Sequence, residues 1–251
     1  MKQSAIWDLQ TRQLLLPKLD HDISECEDFI AFDMQSCRFA VTDGATEAFD
    51  ARKWAERLAQ HWVENESALT PEEFRDWVAT EGRELHESWS CLSLSWYSEE
   101  KARNGSFAAF AGVEFDLKGD SPSWQAIALG DACLLHCRCG ELLKSLPLSH
   151  SESFNSAPVL VASNSSLHEI SMQSVVVESG SCESEDVFLL LSDAMASWCL
   201  ERFEKKDLDP DEILETKEDE ELKDFFDRER LAGRMRNDDL AVLRIKIRQR
   251  S

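Results

Sequence analysis

No two of the eight cysteines form a C-x-x-C pair, no histidines stand at H-x-x-x-H spacing, and no G-x-G-x-x-G run is present. These absences remove a zinc-finger framework, a metalloprotease helix and a dinucleotide or kinase-type phosphate loop. The closest cysteine group, Cys133, Cys137 and Cys139 around His136, falls on a predicted strand. Alternation there sends the odd positions to one face and His136 to the other, so the cysteines are expected to be structural, reduced and mostly buried. No run approaches the roughly 20 apolar residues of a membrane span, and no charged-then-apolar signal opens the chain. The expectation is a soluble, cytoplasmic protein. Basic residues are scarce, 27 against 49 acidic, for a formal charge of −22. Such a chain repels phosphate backbones and anionic bilayers, which excludes nucleic acid and membrane as partners and leaves divalent cations or a basic protein.

Apolar residues make up 43% of the 251, with eight tryptophans, enough for one sizeable core. No repeat or linker interrupts residues 1–251, which read as a single domain. Residues 4–16 read as strand-rich, followed by a polar loop to Glu25. Phe29–Phe32 and Phe39–Thr42 read as two strands with a turn between them. From about Ala48 the period becomes helical: Ala51, Trp54, Ala55, Leu58 and Trp62 form one stripe. Thr70-Pro71-Glu72-Glu73 is a capping box with proline at the first helical position, and it opens a second helix with Phe74, Trp77, Val78, Leu85 and Trp89 inward. The tryptophans are core, and His61 is a surface or helix-packing residue. Period two returns from Ser106, with hairpin turns at Lys118-Gly119-Asp120 and Cys139-Gly140-Glu141. Residues 149–157 and 163–169 are expected as surface loops. After Asp193 a helix runs to about Lys206, one charged helical stretch covers Asp211 to Arg230, and a last strand covers Leu240 to Ile247. Strands do not alternate singly with helices, so antiparallel sheets with helices outside fit better than a doubly wound sheet.

The informative feature is aspartate at the ends of four apolar strands. Phe39-Ala40-Val41 climbs into Asp43-Gly44, Ala126 to Leu129 into Gly130-Asp131, and Val187 to Leu191 into Ser192-Asp193; Asn237-Asp238-Asp239 opens the last strand. Glu27-Asp28 precedes another. Aspartate is also an ordinary strand-end and N-cap residue. Carboxylates with a glycine carbonyl that a ligand can approach closely are, however, what hard cations prefer, and crowded acids repel one another unless a metal neutralises them.

Taken in order, Glu27-Asp28, Asp43-Gly44, Gly105-Ser106-Phe107-Ala108, Gly130-Asp131, Ser192-Asp193 and Asp238 to Val242 resemble the motifs of the protein phosphatase 2C (metal-dependent Ser/Thr phosphatase) family, across residues 27–242. The resemblance implies an α+β fold: two packed antiparallel sheets in a β-sandwich flanked by pairs of helices, in four layers, αββα. It implies two Mn²⁺ or Mg²⁺ ions in a cleft at one end, with Asp43, Asp193 and Asp238 as the catalytic set. Asp43 bridges both ions, Gly44 offers its carbonyl to one, and Asp193 and Asp238 hold the other. Glu27 contributes on the Gly44 side, Asp28 acts largely through water, and Asp131 takes part in a weaker third site. The implied reaction is in-line attack of a metal-activated water on phosphoserine or phosphothreonine, with no phosphoenzyme. The implied partners are a phosphorylated protein substrate and a Ser/Thr kinase. Ser106 and Ser192 are then structural or support the ligands from behind, and are not nucleophiles. Three positions depart from the family pattern: Ile23 replaces the arginine that grips phosphate, Ala194 replaces a glycine, and Ser197 replaces an acidic residue. Arg38 or another basic residue is the candidate substitute for the lost grip. Ile23 also motivates the alternative, a catalytically weak or inactive regulatory module on the same fold.

Overall fold

The computed structural model of the chain describes residues 6–250 apart from 66–67, 92, 94 and 155–156, with only the backbone of Tyr97 and Ile170. The strands are β1 (Ile6–Leu16), β2 (Asp28–Asp33), β3 (Arg38–Gly44), β4 (Phe107–Asp116), β5 (Ser123–Leu129), β6 (Cys133–Arg138), β7 (Glu141–Leu146), β8 (Val161–Ala162), β9 (Val176–Ser181), β10 (Val187–Leu191) and β11 (Leu240–Arg250). The helices are α1 (Ala51–Glu64), α2 (Pro71–Ser90), α3 (Trp96–Asn104), α4 (His168–Ser171), α5 (Asp193–Lys205), α6 (Pro210–Thr216) and α7 (Asp219–Leu231). Two antiparallel sheets result, one ordered β1-β11-β10-β6-β7 and the other β2-β3-β4-β5-β9 with β8 beside β4.

Period-two alternation makes the layers. On β10, Phe188 and Leu190 face the opposite sheet, where Phe39, Val41, Val113 and Phe115 meet them. Leu189 and Leu191 face outward onto Met195 and Trp198 of α5 and Phe226 of α7. The outer face of the second sheet packs Ala40, Phe110 and Ile127 against Trp54, Leu58 and Trp62 of α1 and Phe74 and Val78 of α2. The molecule is therefore the four-layer αββα sandwich that the motifs imply. The α1 and α2 faces are locked by His61, whose Nδ1 lies 2.6 Å from Glu81 Oε2. Antiparallel pairing brings the end of β3, the start of β2, the end of β10 and the start of β11 to one rim. Asp28 sits opposite Asp43 in register, and the Ser192 amide donates to the Ala241 carbonyl at 3.0 Å. Cys133 and Cys137 face the outer core while His136 stacks on Phe188.

Three segments differ from expectation. Residues 211–230 are two helices rather than one, because the chain leaves α6 at Lys217 and Glu218 caps α7 through a capping box with Glu221. Arg12 of β1 satisfies the freed carbonyls of Leu214 and Lys217 and pairs with Asp219 at 2.8 Å. Residues 163–169 are not a surface loop throughout: Ser163 and His168 are buried, and His168 Nε2 lies 2.8 Å from the Ala162 carbonyl oxygen. The segments forming α3 and β9 carry no strong apolar period; α3 is marked by a Ser95 cap bonded to Ser98 and by Gly105 at φ +86°. Residues 4–5 of the first expected strand, and 155–156 of the 149–157 loop, lie outside the described residues. Among the described residues no helix is long and apolar enough to cross a membrane.

Close packing of α2 on the β8 end yields a stability test. A Cβ at Gly82 would lie 2.1 Å from the Ser163 carbonyl oxygen. Alanine ordinarily favours a helix interior over glycine by about 1 kcal/mol, but here overpacking against backbone outweighs it. Gly82→Ala should lower stability by about 1–3 kcal/mol, measured as a reduced urea midpoint; an unchanged or raised midpoint contradicts the packing.

Candidate metal centre

Each acidic side chain at the rim is placed by an element with its own reason to end there. Asp43 is held by β3, whose Thr42 hydroxyl donates to the Ala55 carbonyl at 2.9 Å, tying the strand to α1. Its register partners are Asp28 on β2 and Ala109 on β4. Directly opposed residues in an antiparallel pair lie about 4.5–5.5 Å apart at Cα, so hydrogen bonding of the sheet forces two carboxylates together. Gly44 tolerates no side chain, since a Cβ would come within 2.9 Å of the Ala51 carbonyl oxygen and 3.0 Å of the Glu27 oxygen. Asp131 follows Gly130, whose φ of +104° turns β5 into β6 and whose missing Cβ would strike Ala109. Asp193 opens α5 behind the cap residue Ser192, whose Oγ accepts from the Ala241 amide at 2.9 Å. The positive end of the helix dipole favours a carboxylate there.

Oxygens of Asp43, Asp131 and Asp193 lie within 4.8 Å of one another. Asp131, expected at a weaker third site, lies in one group with Asp43 and Asp193. Asp238 stands beside it, linked through Arg236: the guanidinium contacts Asp193 and its Nε lies 3.5 Å from Asp238 Oδ2. Lys18 Nζ is 3.1 Å from the other Asp238 oxygen. Glu27 is held next to Gly44, whose amide donates to the Glu27 carbonyl at 3.2 Å, and the Glu27 amide itself donates to Asp239 Oδ2 at 2.9 Å. Asp28 is 3% exposed.

The electrostatics are those of an over-acidic pocket. Burial, with the charges of Asp131 and Asp238, pushes the Asp43 carboxyl up to about 8 against the opposing pull of Arg236. Burial lifts Asp131 to about 6, again opposed by Arg236. Asp28 is driven well up by burial and by Asp43, relieved in part by a hydrogen bond from Ser192. Burial raises Glu27 despite Thr46 and Lys18. For Lys18, burial acts to lower the ammonium, but Asp238 outweighs it and the net shift is upward. Asp28 Oδ2 and Asp193 Oδ1 are buried with no hydrogen-bond partner. Buried unpartnered carboxylate oxygens and a donor set of oxygen alone fit a hard divalent cation such as Mn²⁺ or Mg²⁺.

Arg38 is not at the rim. It is buried under Glu114 (3.5 Å) with its guanidinium 4.6 Å from the centre of the Trp62 ring. It occupies the opposite end of β3, roughly 16 Å from Asp43 at about 3.3 Å per residue, so it cannot replace the missing grip. Ile23 is 53% exposed in a short turn, where Arg52 donates to the carbonyls of Ile23 and Ser24. Sequence reasoning passed over Arg236, Lys18 and the anchoring role of Asp239. The one signal available was the polar run Arg236-Asn237-Asp238-Asp239 before a buried strand.

No protein-family model and no curated protein sequence matches the chain. Solved structures do. The catalytic domain of the serine/threonine protein phosphatase PstP, determined with two manganese ions, superposes with a TM-score of 0.61 at 15% identity, over 96% of this chain and 99% of that one. PppA, a regulatory component of T6SS in Pseudomonas aeruginosa, gives 0.59 at 15% identity over 98% and 100%. The photosystem II phosphatase PBCP gives 0.59 at 15% over 95% and 98%. The chain has the fold of protein phosphatase 2C-type domains.

The raised carboxyls fix the pH response of the metal-free chain. Asp43 ionises near 3.8 unfolded and about 8 folded. Its stabilising contribution is therefore complete below the lower value and lost as pH rises through the upper. In EDTA the melting temperature should fall from pH 5 to pH 8, and Asp43→Asn should flatten that slope. A melting temperature that climbs across this window contradicts the assignment.

Proposed function

We propose that this chain is a metal-dependent protein serine/threonine phosphatase that hydrolyses phosphoserine and phosphothreonine side chains. The observation carrying this reading is the convergence of Asp43, Asp131 and Asp193 within 4.8 Å at the rim of the sandwich, in a fold shared with a phosphatase domain that holds two manganese ions. Asp43, Asp131, Asp193 and Asp238, with the Gly44 carbonyl, Glu27 and Asp28, are the residues that would hold two Mn²⁺ or Mg²⁺ ions and a weaker third. Bound there, the ions supply an activated water nucleophile and neutralise charge on the phosphoryl oxygens.

The remaining chemistry belongs to the chain. Register pairing presents Asp28 and Asp43 together, and Ser192 orients Asp28 by a hydrogen bond. Asp239 fixes the Glu27 backbone, and through its second oxygen it accepts from the Lys18 amide at 2.9 Å, holding the loop before β2 against the start of β11. The α5 N-terminus and Lys18 limit repulsion among the acids before any ion arrives. Histidine takes no part in this reading: His61, His136 and His168 are all engaged in packing contacts away from the rim. The substrate implies a Ser/Thr kinase as the partner activity that produces it.

A second reading, a weak or inactive regulatory module, is favoured by Ile23, an exposed apolar side chain at the position where the family carries its arginine. Ile23→Arg separates the two, since a large gain in turnover means the natural chain is compromised.

In the phosphatase reading, Mn²⁺-dependent hydrolysis of p-nitrophenyl phosphate and of a phosphoserine peptide should fall by at least about 100-fold in Asp43→Asn and in Asp193→Asn, while both variants keep a cooperative melt. Ordinary Mn²⁺ binding by the wild type with no turnover on any phosphopeptide would sink it.

A further inference from the structure

A phosphomonoester dianion approaching an acidic rim needs a cation that can be freed from the rim's own carboxylates. Among the described residues, the guanidinium paired with the clustered aspartates is that of Arg236. Its backbone is fixed on both sides. Met235 is buried in the core, the Asn237 side-chain oxygen accepts from the Leu19 amide at 2.9 Å, and Arg230 donates to the Asp238 carbonyl at 2.7 Å. The side chain is different: it is 48% exposed, and it separates the carboxylates from a cleft of about 340 Å³ lined also by Ser151, Ser197, Trp198 and Arg234. Arg234 is already committed, its Nε and NH2 both bonded to Glu229. Lys18 also pairs with Asp238, but its side chain is half as exposed as that of Arg236 and its ammonium offers no planar fork; Arg52 is engaged by backbone carbonyls. Arg236 is thus a planar, five-donor fork on a rigid base, facing acids on one side and an open cleft on the other.

We propose that Arg236 is the side chain that binds the phosphoryl group of the substrate, and that Asp193 and Asp238 hold it in reserve until divalent ions claim their carboxylates. The proposal rests on the phosphatase reading and adds to it the grip that Ile23 removes. Two competitions define it. Arg236 and a divalent ion contend for the same two carboxylates, so the arginine weakens the first metal binding. Once released, the guanidinium stays at the rim because its backbone cannot move away, and its fork matches two phosphate oxygens where an ammonium would match one. Metal loading therefore promotes phosphate binding, and by reciprocity phosphate promotes metal binding.

The test is equilibrium binding on the full chain: calorimetric titration of Mn²⁺, then of inorganic phosphate into Mn²⁺-loaded protein, for wild type, Arg236→Gln and Arg236→Lys. Arg236→Gln should bind Mn²⁺ about 5-fold or more tighter and phosphate about 10- to 100-fold more weakly. Arg236→Lys keeps the charge but not the fork, so its Mn²⁺ affinity should stay within about twofold of wild type while most phosphate affinity is lost. With a phosphopeptide, the loss should appear mainly in KM. Unchanged Mn²⁺ affinity in Arg236→Gln overturns the proposal. So does tighter Mn²⁺ binding with undiminished phosphate affinity, which would make Arg236 a counter-ion only. Neither titration involves turnover, so a chain that shifts both affinities as stated yet hydrolyses no phosphopeptide rejects the phosphatase reading and leaves the role of Arg236 standing.

Discussion

The structure is governed by the meeting of like charges that backbone hydrogen bonding compels. Pairing β2 with β3 sets Asp28 opposite Asp43, and closing the sandwich brings Asp131 and Asp193 to the same rim. Two charges 4 Å apart repel by about 4 kcal/mol at an effective dielectric of 20, so the rim opposes folding. It persists because the apolar layers on both faces of each sheet outweigh it, and because Lys18, Arg236 and the start of α5 offset part of the charge. Burial above all, with the neighbouring acids adding to it, displaces Asp28, Asp43 and Asp131 upward.

The far end of β10 shows how this chain treats a buried charge that it intends to keep for itself. Asp186 is fully buried, yet its oxygens meet His136 Nε2 at 2.9 Å, Arg138 Nε at 2.6 Å and the Glu183 amide at 2.9 Å. Burial acts to raise its carboxyl, but Arg138, the Glu183 amide and His136 prevail and the net displacement is downward. Across the same sandwich, Asp28 Oδ2 and Asp193 Oδ1 have no such partners. One end of the fold satisfies a buried carboxylate completely while the other leaves two carboxylate oxygens unpartnered, and that contrast supports the proposed cation site.

Much of this was legible from residue order. Alternation in Phe107 to Phe115 and the short apolar run Val187 to Leu191 located strands, and the Thr70 capping box is present with both hydrogen bonds, Glu73 N to Thr70 Oγ1 at 3.2 Å and Thr70 N to Glu73 Oε2 at 3.1 Å. Such signals are local, needing only neighbours a few residues apart. The break between α6 and α7 was not legible, because the group that satisfies the α6 carbonyls is Arg12, brought from β1 by its pairing with β11. Nor was the burial of His168, whose polar partner is the carbonyl of Ala162 on a short strand defined only by its pairing with β4.

At the rim the division is sharper. The amino-acid order alone determined which side chains were available: aspartates at strand ends, a glycine closing β3, and isoleucine rather than arginine at position 23. These are chemical identities, and no folding event changes them. The tertiary structure decided which acids meet. It drew Asp131 together with Asp43 and Asp193, gave Asp239 to the backbone of Glu27, kept Arg38 at the opposite end of its strand, and set Arg236 between Asp193 and Asp238. Distances between residues 43, 131 and 193 depend on sheet register and on the packing of two sheets against each other, which are properties of the whole chain rather than of any window of it.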